Sequence, residues 1–501
     1  MRKLSVGVAV SLILVGCGGG GSGNNTTNTA SSTNSTSNSV PAKDPLKILT
    51  GENYDAGDAD VNPRWVIADF NKDGSKDIFL RYDPQSAFSA TKLGTPSPVR
   101  FFLGKAGGGF DRSTSIFPEG FSAILVNRII LSDFNGDGGT DILIAASGQD
   151  PYVNGKPALT GYTGEYTTIL SYTPNGYKIS KINNNPLTFA HHASSGDING
   201  DYLPDAFITS LGFSEPFFIK GDNNGNFIAD TSRFPSKTFS WQYSVLERFA
   251  DGSPKKWQNN FVTSTAMVDA NSDGHIDVVA FAASGNKTSK VYLNDGAGNF
   301  SSQRLIELPA GPYGEGYESY DAPNDGKKFY SSGTIHLDSL VADINGDGKM
   351  DLLSLTTSSK QSVSEFIYYR GAAIQALINT GNGFVDESKS RINFTHNTSI
   401  NYTHYDTLEF ADINNDKCKD ILIHRHQFQK EDNANPTRIL INNCKGNFSE
   451  KSYPASLPKG ILTVLGEGHY AVLISQSVNG VITQRVDDVY YDWSLGQNLF
   501  P

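Results

Sequence analysis

The chain carries a short motif of oxygen-bearing side chains that occurs six times. In the copy SDFNGDGGTDILIA, which begins at Ser132, positions one, three, five and nine are Asp133, Asn135, Asp137 and Asp141. Alternate side chains of such a loop can point inward, and carboxylate and amide oxygens are the ligands that calcium prefers. Gly138 at position six permits the sharp turn. The spacing therefore predicts a calcium-binding loop.

The five further copies keep this spacing. Their four predicted ligands are Asp69, Asn71, Asp73 and Asp77; Asp197, Asn199, Asp201 and Asp205; Asp269, Asn271, Asp273 and Asp277; Asp343, Asn345, Asp347 and Asp351; and Asp412, Asn414, Asp416 and Asp420. The first aspartates of successive copies are separated by 64, 64, 72, 74 and 69 residues. So steady a period indicates a repeat architecture. We expect up to six structural calcium ions, with metal-free polar turns as the alternative.

An EF-hand loop begins in the same way but requires a glutamate at position twelve. That position holds Leu80, Ile144, Ile208, Ala280, Ser354 and Ile423, and strand-like runs follow instead of helices. Two copies replace the glycine at position six with Tyr202 and Lys417. We expect backbone strain in these two loops if they keep a positive φ.

Each motif is followed by a second turn rich in glycine and asparagine and then by an aromatic residue. The aromatic residues, each expected to begin a returning strand, are Phe110, Tyr177, Phe227, Phe300, Phe384 and Phe448. Short apolar or alternating runs such as DIFLRY and DVVAFA, with little helical periodicity, indicate an all-β chain. Four-stranded units of this length that repeat radially are the blades of a β-propeller.

The loop D-x-N-x-D-G-x-x-D, its apolar strand and the later G-N-F resemble the FG-GAP or VCBS-type repeat of integrin α-subunit heads and bacterial surface proteins. This resemblance extends from about Ala68 to Phe448. It implies a propeller, usually of seven blades with four antiparallel strands each, with calcium loops on one face. We expect a seventh blade without the aspartates from Gly460 to Trp493, and a closing strand from Leu46 to Thr50. Six or eight blades are the alternatives.

The N-terminus has the features of a bacterial lipoprotein signal. Residues 1–16 form a short basic start and an apolar run that is too short to span a bilayer comfortably. The ending resembles a lipobox, which implies a lipid anchor on Cys17, with an ordinary secretory signal as the alternative. Residues 17–44 predict a flexible linker, so the propeller is expected over 45–501. Gly18 points, by the same resemblance, to an outer membrane lipoprotein of the cell envelope.

Two further cysteines fall within one predicted blade. Cys418 lies in the sixth Asp-rich loop, and Cys444 lies in the following glycine turn. In an up-and-down blade these two connections emerge at the same end, and disulfides persist outside the cytosol. We predict a disulfide between them, with two unpaired thiols as the alternative.

The long connections between strands are expected on the face opposite the calcium loops. Their aromatic residues are Trp241, Tyr243, Trp257, Tyr313, Tyr317, Tyr320, Tyr330, Tyr402 and Tyr405. Aromatic loops on a rigid scaffold can recognise glycans or proteins, although they can also simply cover the ring. We therefore predict a monomeric binding or adhesion module with a glycan or protein ligand. The net charge of −11 disfavours a nucleic-acid partner.

Two alternatives are a polysaccharide-acting lyase or hydrolase and a structural scaffold. The sequence has no G-x-S-x-G, no H-E-x-x-H and no Cys/His zinc spacing. The histidines in strands and connections include His191, His192, His396, His404, His424 and His426. We expect them to be surface or hydrogen-bonded residues, and we predict no catalytic residue.

Overall fold

The fold is built from short strands that end at turns rich in glycine, asparagine and aspartate. It is described here from a computed structural model over residues 46–55, 59–84, 97–113, 116–118, 121–149, 152–153, 156–157, 163–210, 214–222, 224–235, 244–248, 254–258, 262–282, 289–313, 318–320, 329–330, 334–361, 366–394, 407–425, 437–478 and 481–493. The predicted signal peptide, Cys17 and the linker lie outside these residues.

Seven antiparallel sheets form the blades of a β-propeller, as predicted. From the inner strand outward, blade one comprises Ala59–Ala68, Asp77–Pro84, Arg100–Gly104 and Phe110–Ser113, and blade two Val126–Ser132, Asp141–Ala146, Thr168–Thr173 and Gly176–Ser180. Blade three comprises Ala193–Gly196, Asp205–Ile208, Phe217–Gly221 and Phe227–Asp230, and blade four Val262–Val268, Asp277–Ala282, Lys290–Tyr292 and Leu305–Glu307. Blade five comprises Thr334–Ala342, Asp351–Gln361, Phe366–Asn379 and Phe384–Asp386, and blade six Thr407–Ala411, Asp420–His424, Thr437–Asn442 and Phe448–Lys451.

The seventh blade joins the two ends of the described chain. Its inner strands are Ile461–Gly466, His469–Val478 and Val481–Tyr491, and its outer strand is Leu46–Leu49. The outer strand pairs antiparallel with Val481–Tyr491, from Leu46 opposite Tyr491 to Leu49 opposite Asp488. The predicted closing strand is therefore confirmed. Because it completes the last sheet, it also covers an edge that would otherwise offer unpaired backbone groups.

The apolar core lies between neighbouring blades. Seven clusters of buried side chains fill these spaces in the described residues, and each draws on two adjacent blades. Leu143 of blade two packs with Ile208 of blade three, and Ile78 of blade one packs with Leu473 of blade seven. The second strand of each blade has neighbours on both faces, which explains why runs such as DILIAA are apolar throughout.

The outer strands differ from the prediction in two blades. Phe110, Phe227, Phe384 and Phe448 each begin an outer strand as expected. Tyr177 is instead the second residue of its strand, and Phe300 precedes Leu305–Glu307 by a turn. The ring of Phe300 stacks 4.8 Å from that of Phe234 and 5.5 Å from that of Phe218. Packing between blades three and four therefore holds this aromatic residue ahead of the strand.

Two long connections form an additional sheet that the sequence analysis did not predict. Ser244–Arg248 and Pro254–Gln258 follow blade three, and Glu318–Tyr320 and Phe329–Tyr330 follow blade four. The four strands lie in one antiparallel sheet, in which Trp257 is opposite Glu318. We call it the connection sheet. It joins two separate connections through backbone pairing.

Several short elements complete the described structure. Tyr54–Asp55 pairs with the third strand of blade seven, while Ile182–Asn183 and Ile392–Asn393 run parallel to the outer strands of blades three and six. Two-residue pairs join Ser97–Pro98 to Ser122–Ala123, Tyr152–Val153 to Lys156–Pro157, and Glu165–Tyr166 to Leu187–Thr188. Ser388–Arg391 is a single helical turn. Over the described ranges, no helix has the length and apolar character to cross a bilayer.

Candidate metal centres

The six Asp-rich loops connect the first and second strands of blades one to six, and all 24 predicted ligands lie in described residues. In blade two, Asp133 accepts hydrogen bonds from the backbone N–H groups of Asp137 and Gly138, at 3.1 and 2.8 Å. The Asn135 side-chain oxygen accepts a hydrogen bond from the Asp137 N–H, and the Asn135 amide donates one to the Asp137 carboxylate, both at 3.0 Å. The side chains at positions one, three and five therefore converge inside the loop.

The carboxylate at position nine lies beneath the loop and ties it to the blade. In blade two, the Asp141 side chain accepts from the N–H of Phe134, at 3.0 Å, and from the N–H of Tyr172 on the third strand, at 2.9 Å. The contact from position two to position nine occurs in all six loops. Position nine therefore orders the loop, and its two oxygens are already engaged by backbone donors.

Burial raises the pKa of the position-nine aspartates. It raises the pKa of Asp141 and Asp205 to about 7, and that of Asp277 and Asp420 to about 6, and the negative charges of other loop aspartates add to the rise. The pKa of Asp73 at position five is instead lowered, because the Ser75 N–H donates to its carboxylate. Each loop thus holds a buried carboxyl group beside exposed carboxylates, which a cation would stabilise in its charged form.

The donor chemistry of the loops fits calcium, because every candidate ligand is a hard oxygen donor. Ionised carboxylates also have more acceptor sites than the backbone bonds use. In the present structure, the carboxylate oxygens of each loop are too far apart to form a complete coordination shell. Within the described ranges, the one group of three His, Cys, Asp or Glu residues whose ligand atoms all lie within 4.8 Å is Asp416, Cys418 and Cys444. A calcium ion would therefore require the loop carboxylates to draw closer together, with the Asn–Asp side-chain bond opening.

The Cys418 and Cys444 sulfur atoms form a disulfide, so this trio is not a thiolate metal site. The two Cα atoms are 5.3 Å apart. The bridge links the Asp-rich loop of blade six to the turn between its third and fourth strands. Both kinds of connection therefore lie at one end of the blade, and the 2→3 and 4→1 connections lie at the other end.

Asparagines at the ends of third strands are structural residues that the sequence analysis missed. Asn294 donates to the carbonyl of Ile198 in the loop of blade three, at 2.8 Å, and Asn379 donates to the carbonyl of Asp269 in the loop of blade four, at 3.1 Å. Each bond joins a blade to the loop of the preceding blade. The signal in the sequence is the Asn that ends VYLN and ALIN, whereas the Asn that ends ILIN, Asn442, donates to the Lys419 carbonyl of its own blade.

The predicted strain at position six is present. Tyr202 and Lys417 have φ values of 68° and 70°, close to the 79° of Gly138. Their N–H groups make the same bond to the first aspartate that glycine makes in the other loops, at 2.8 Å in both cases. The hydrogen bonds of the loop therefore impose the left-handed conformation whatever the residue.

A reciprocal pair of substitutions should measure this strain. Gly138→Ala should destabilise the protein by about 1 kcal/mol, because a Cβ there would meet no atom within 4 Å and the cost is conformational. Tyr202→Gly should not destabilise it, since relief of strain offsets the greater chain entropy of glycine. Urea denaturation of both variants checks this prediction. An equal decrease in the free energy of unfolding of the two variants would contradict the prediction.

Calcium affinity should fall as the pH is lowered from about 8 to about 5.5. Burial raises the pKa of Asp141 and Asp205 in the fold to about 7, well above the usual value for aspartate, so the metal-free fold favours their protonated forms. A cation favours the ionised forms, and binding should release protons. Calorimetric titration at pH 6.5 in two buffers with different ionisation enthalpies measures that release. An affinity that does not change with pH would contradict the prediction.

Away from the loops, Asp338 connects four blades near the propeller axis. The carboxylate of Asp338, on the inner strand of blade five, lies 2.6 Å from Arg128 Nη1 of blade two and 3.0 Å from His192 Nε2, beside blade three. It also accepts from the N–H of Leu408 in blade six, at 2.9 Å. Burial favours the neutral acid, but the charge of Arg128 and the bond from His192 hold the pKa of Asp338 well below its usual range.

Some of the histidines singled out in the sequence lie in described residues near the propeller axis, and the others lie outside the described residues. His192 is buried, and burial lowers the pKa of His191 and His192 to about 4. His424 is also buried and lies 3.2 Å from both Glu409 Oε2 and Thr437 Oγ1. The expectation of hydrogen-bonded histidines holds for His192 and His424. His396, His404 and His426 lie outside the described residues.

The predicted aromatic residues lie mainly where side chains are not described. Trp241, Tyr243, Tyr317, Tyr402 and Tyr405 lie outside the described residues, and Trp257, Tyr320 and Tyr330 lie on strands of the connection sheet. Tyr313 is half-buried, its N–H donates to Thr334 Oγ1, and burial raises its pKa to about 12. The described strand ends place the 2→3 and 4→1 connections of the blades to begin and end opposite the Asp-rich loops, as expected.

Comparison with known families identifies one segment. A family model described as the FG-GAP-like repeat matches residues 343–423. The matched segment begins at the first aspartate of the fifth loop, contains the sixth loop and ends in the second strand of blade six. The predicted resemblance is confirmed for this segment. The other four loops share two of its hydrogen bonds, from the N–H of position six to the first aspartate and from the N–H of position two to the aspartate at position nine.

Three solved structures of rhamnogalacturonan lyases show a distant similarity. They are PL11 from Bacillus licheniformis, with 11% identity and a TM-score of 0.35, the exotype lyase YesX, with 13% and 0.37, and YesW, with 11% and 0.36. Each alignment covers 88% of this chain and 75 to 76% of the other. These scores are too low to indicate an activity. A comparison with curated proteins gives no match.

Proposed function

We propose that the chain is a calcium-stabilised propeller that serves as a binding or adhesion module, held in the outer membrane of a bacterial envelope by a lipid on Cys17. The observation that carries this proposal is the division of the propeller into two ends. Six equivalent Asp-rich loops occupy one end, and the long connections occupy the other. One end is thus suited to stabilising the ring, and the other to recognition.

Calcium has a structural role in this proposal. The side chains at positions one, three, five and nine of each loop would hold the ion, which would neutralise the loop carboxylates. The metal would fix the connection between the first two strands of each blade. Because the bonds of Asn294 and Asn379 reach the neighbouring loops, ordering one loop also supports the next blade.

The recognition end would bind a glycan or a protein of the envelope or its surroundings. The connection sheet supports this part of the proposal, because a surface ordered by backbone pairing loses little entropy on binding. The sequences of these connections are rich in aromatic residues, a residue type whose flat apolar ring and polar edge suit sugar rings and protein side chains. A monomer suffices, since the ring closes within one chain.

A binding screen with two matched variants tests the recognition end. Immobilised full chain should retain a glycan or an envelope protein, and Trp257→Ala, in the connection sheet, should weaken retention about tenfold or more. Tyr202→Ala is the control, because Tyr202 is an aromatic residue that is 83% exposed at the opposite end. Retention of nothing, or loss with Tyr202→Ala but not with Trp257→Ala, would refute the proposal. Depolymerisation of a polysaccharide would instead support the alternative of a lyase or hydrolase.

The anchor has a separate test. Cells fed an alkyne-labelled fatty acid should label the wild-type chain, and Cys17→Ser should abolish the label and release the chain from the membrane fraction. A Cys17→Ser chain that keeps the label and the membrane fraction would refute the anchor at this residue.

A further inference from the structure

A cavity of about 420 Å³ lies among the inner strands at the centre of the ring. It is lined by residues of blades one, two, five, six and seven. The polar and charged lining residues are Arg64, Lys76, Asn127, Arg128, Asp338, Thr407, Glu409, His424 and Thr463. The proposed function uses neither this cavity nor these residues.

One wall of the cavity presents a guanidinium group that is held in place. The Arg128 guanidinium is held by Asp338, and its Nε is buried without a hydrogen-bond partner. The Arg128 side chain still has 26% of its surface exposed, so the cavity is accessible to solvent at this point. Arg64 of blade one lines the same cavity. Two guanidinium groups, with planar sets of N–H donors, are well suited to a carboxylate.

A second wall presents fixed hydrogen-bond acceptors. Glu409 Oε1 accepts from Thr463 Oγ1, at 2.6 Å, and Glu409 Oε2 lies 3.2 Å from His424 Nε2. The Glu409 side chain is 27% exposed, so it can also accept from a ligand hydroxyl group. The two contacts hold the carboxylate in one orientation. This pre-organisation reduces the entropy that a ligand would lose on binding.

The charge of the cavity is opposite to that of the whole chain. Its cations, Arg64, Lys76 and Arg128, outnumber its anions, Asp338 and Glu409, although the net charge of the chain is −11. The remaining wall is apolar and includes Trp65. A cationic wall, an acceptor wall and an indole together match a ligand that has one carboxylate, several hydroxyl groups and a carbon face.

We propose that the central cavity binds a single sugar acid of monosaccharide size. Its carboxylate would lie against Arg64 and Arg128, and its hydroxyl groups would donate to Glu409. The volume falls in the range of small-molecule sites, about 300–1,000 Å³. The site shares Lys76 with the Asp-rich loop of blade one but uses none of the predicted calcium ligands and no residue of the connection sheet, so either proposal can fail without the other.

A matched pair of probes tests the site with the full chain. D-glucuronate should bind saturably in calorimetric titration, and D-glucose, which has a CH₂OH group in place of the carboxylate, should bind at least tenfold more weakly. Adding salt should weaken the binding of glucuronate only. Equal affinity for the two sugars, or no saturable binding of glucuronate, would overturn the proposal.

Two substitutions locate the binding. Arg64→Gln and Glu409→Gln should each weaken glucuronate binding about tenfold, whereas Arg112→Gln, an exposed arginine on the outer strand of the same blade as Arg64, should not. Urea midpoints of all three variants show whether they fold. Loss of binding with Arg112→Gln, or full binding by folded Arg64→Gln and Glu409→Gln, would exclude this cavity. If neither variant folds, the comparison of the two sugars on the wild-type chain decides.

Discussion

Chelating calcium should lower the melting temperature of the full chain by on the order of 10 °C, because each loop filled at 100 times its Kd contributes about 2.7 kcal/mol and the contributions of several loops add. Without metal, the loop carboxylates repel one another, and burial disfavours ionisation of position nine. Scanning calorimetry in EGTA and in excess calcium measures the difference. Identical melts after thorough removal of metal would contradict the calcium proposal.

A substitution within one loop makes this test specific. Asp137→Asn should remove about one bound calcium per chain and only part of the thermal shift, since the other loops are unchanged. The matched control is Asp111→Asn, an exposed aspartate whose side chain is 70% accessible and forms a surface ion pair with Lys105. The control should keep all bound calcium. A loss of all calcium with Asp137→Asn would indicate that the loops do not act separately.

Asp338→Ala should destabilise the protein by about 3–5 kcal/mol, because removing one partner leaves the charge of Arg128 near the axis without its carboxylate. The N–H of Leu408 would also lose its acceptor. Since the pKa of Asp338 is below its unfolded value, its contribution is fully present above that value and is lost only as the pH falls below about 4. The substitution should therefore have its full effect at pH 7.

Urea denaturation at pH 7 measures this effect. Asp111→Asn again serves as the control, because exposed ion pairs contribute at most about 1 kcal/mol. A double variant, Arg128→Met with Asp338→Leu, should recover part of the loss, since it removes both charges. A loss below about 1 kcal/mol for Asp338→Ala would show that blades two, three, five and six are not held through this residue.

The sequence predicted the ring because the repeat encodes it locally. Each Asp-rich loop is specified by residues within nine positions, and the side chain at position nine, such as Asp141, bonds to position two of the same loop. The strand that follows is apolar because both its faces are covered. The seventh blade lacks the aspartates, yet the sequence predicts its strands and a closing strand from Leu46 to Thr50, which the structure shows as Leu46–Leu49.

Contacts between segments that are far apart in the chain could not be predicted from local sequence patterns. Asp338 lies 210 positions from Arg128, and the two meet because the inner strands of blades two and five surround one axis. A register shift between His336 and Asp338 marks a bulge in that strand, and bulges redirect side chains. Similarly, the connection sheet pairs Lys256 with Ser319, in two segments whose sequences show no common pattern.

The sequence by itself determined the all-β fold, the repeating blade and the chemistry of each Asp-rich loop, because these depend on residues close together in the chain. The tertiary structure decided which charges meet at the axis, that a cationic cavity forms there and that two long connections share a sheet. Those features depend on ring closure, which brings Arg128, His192 and Leu408 from distant parts of the chain into contact with Asp338.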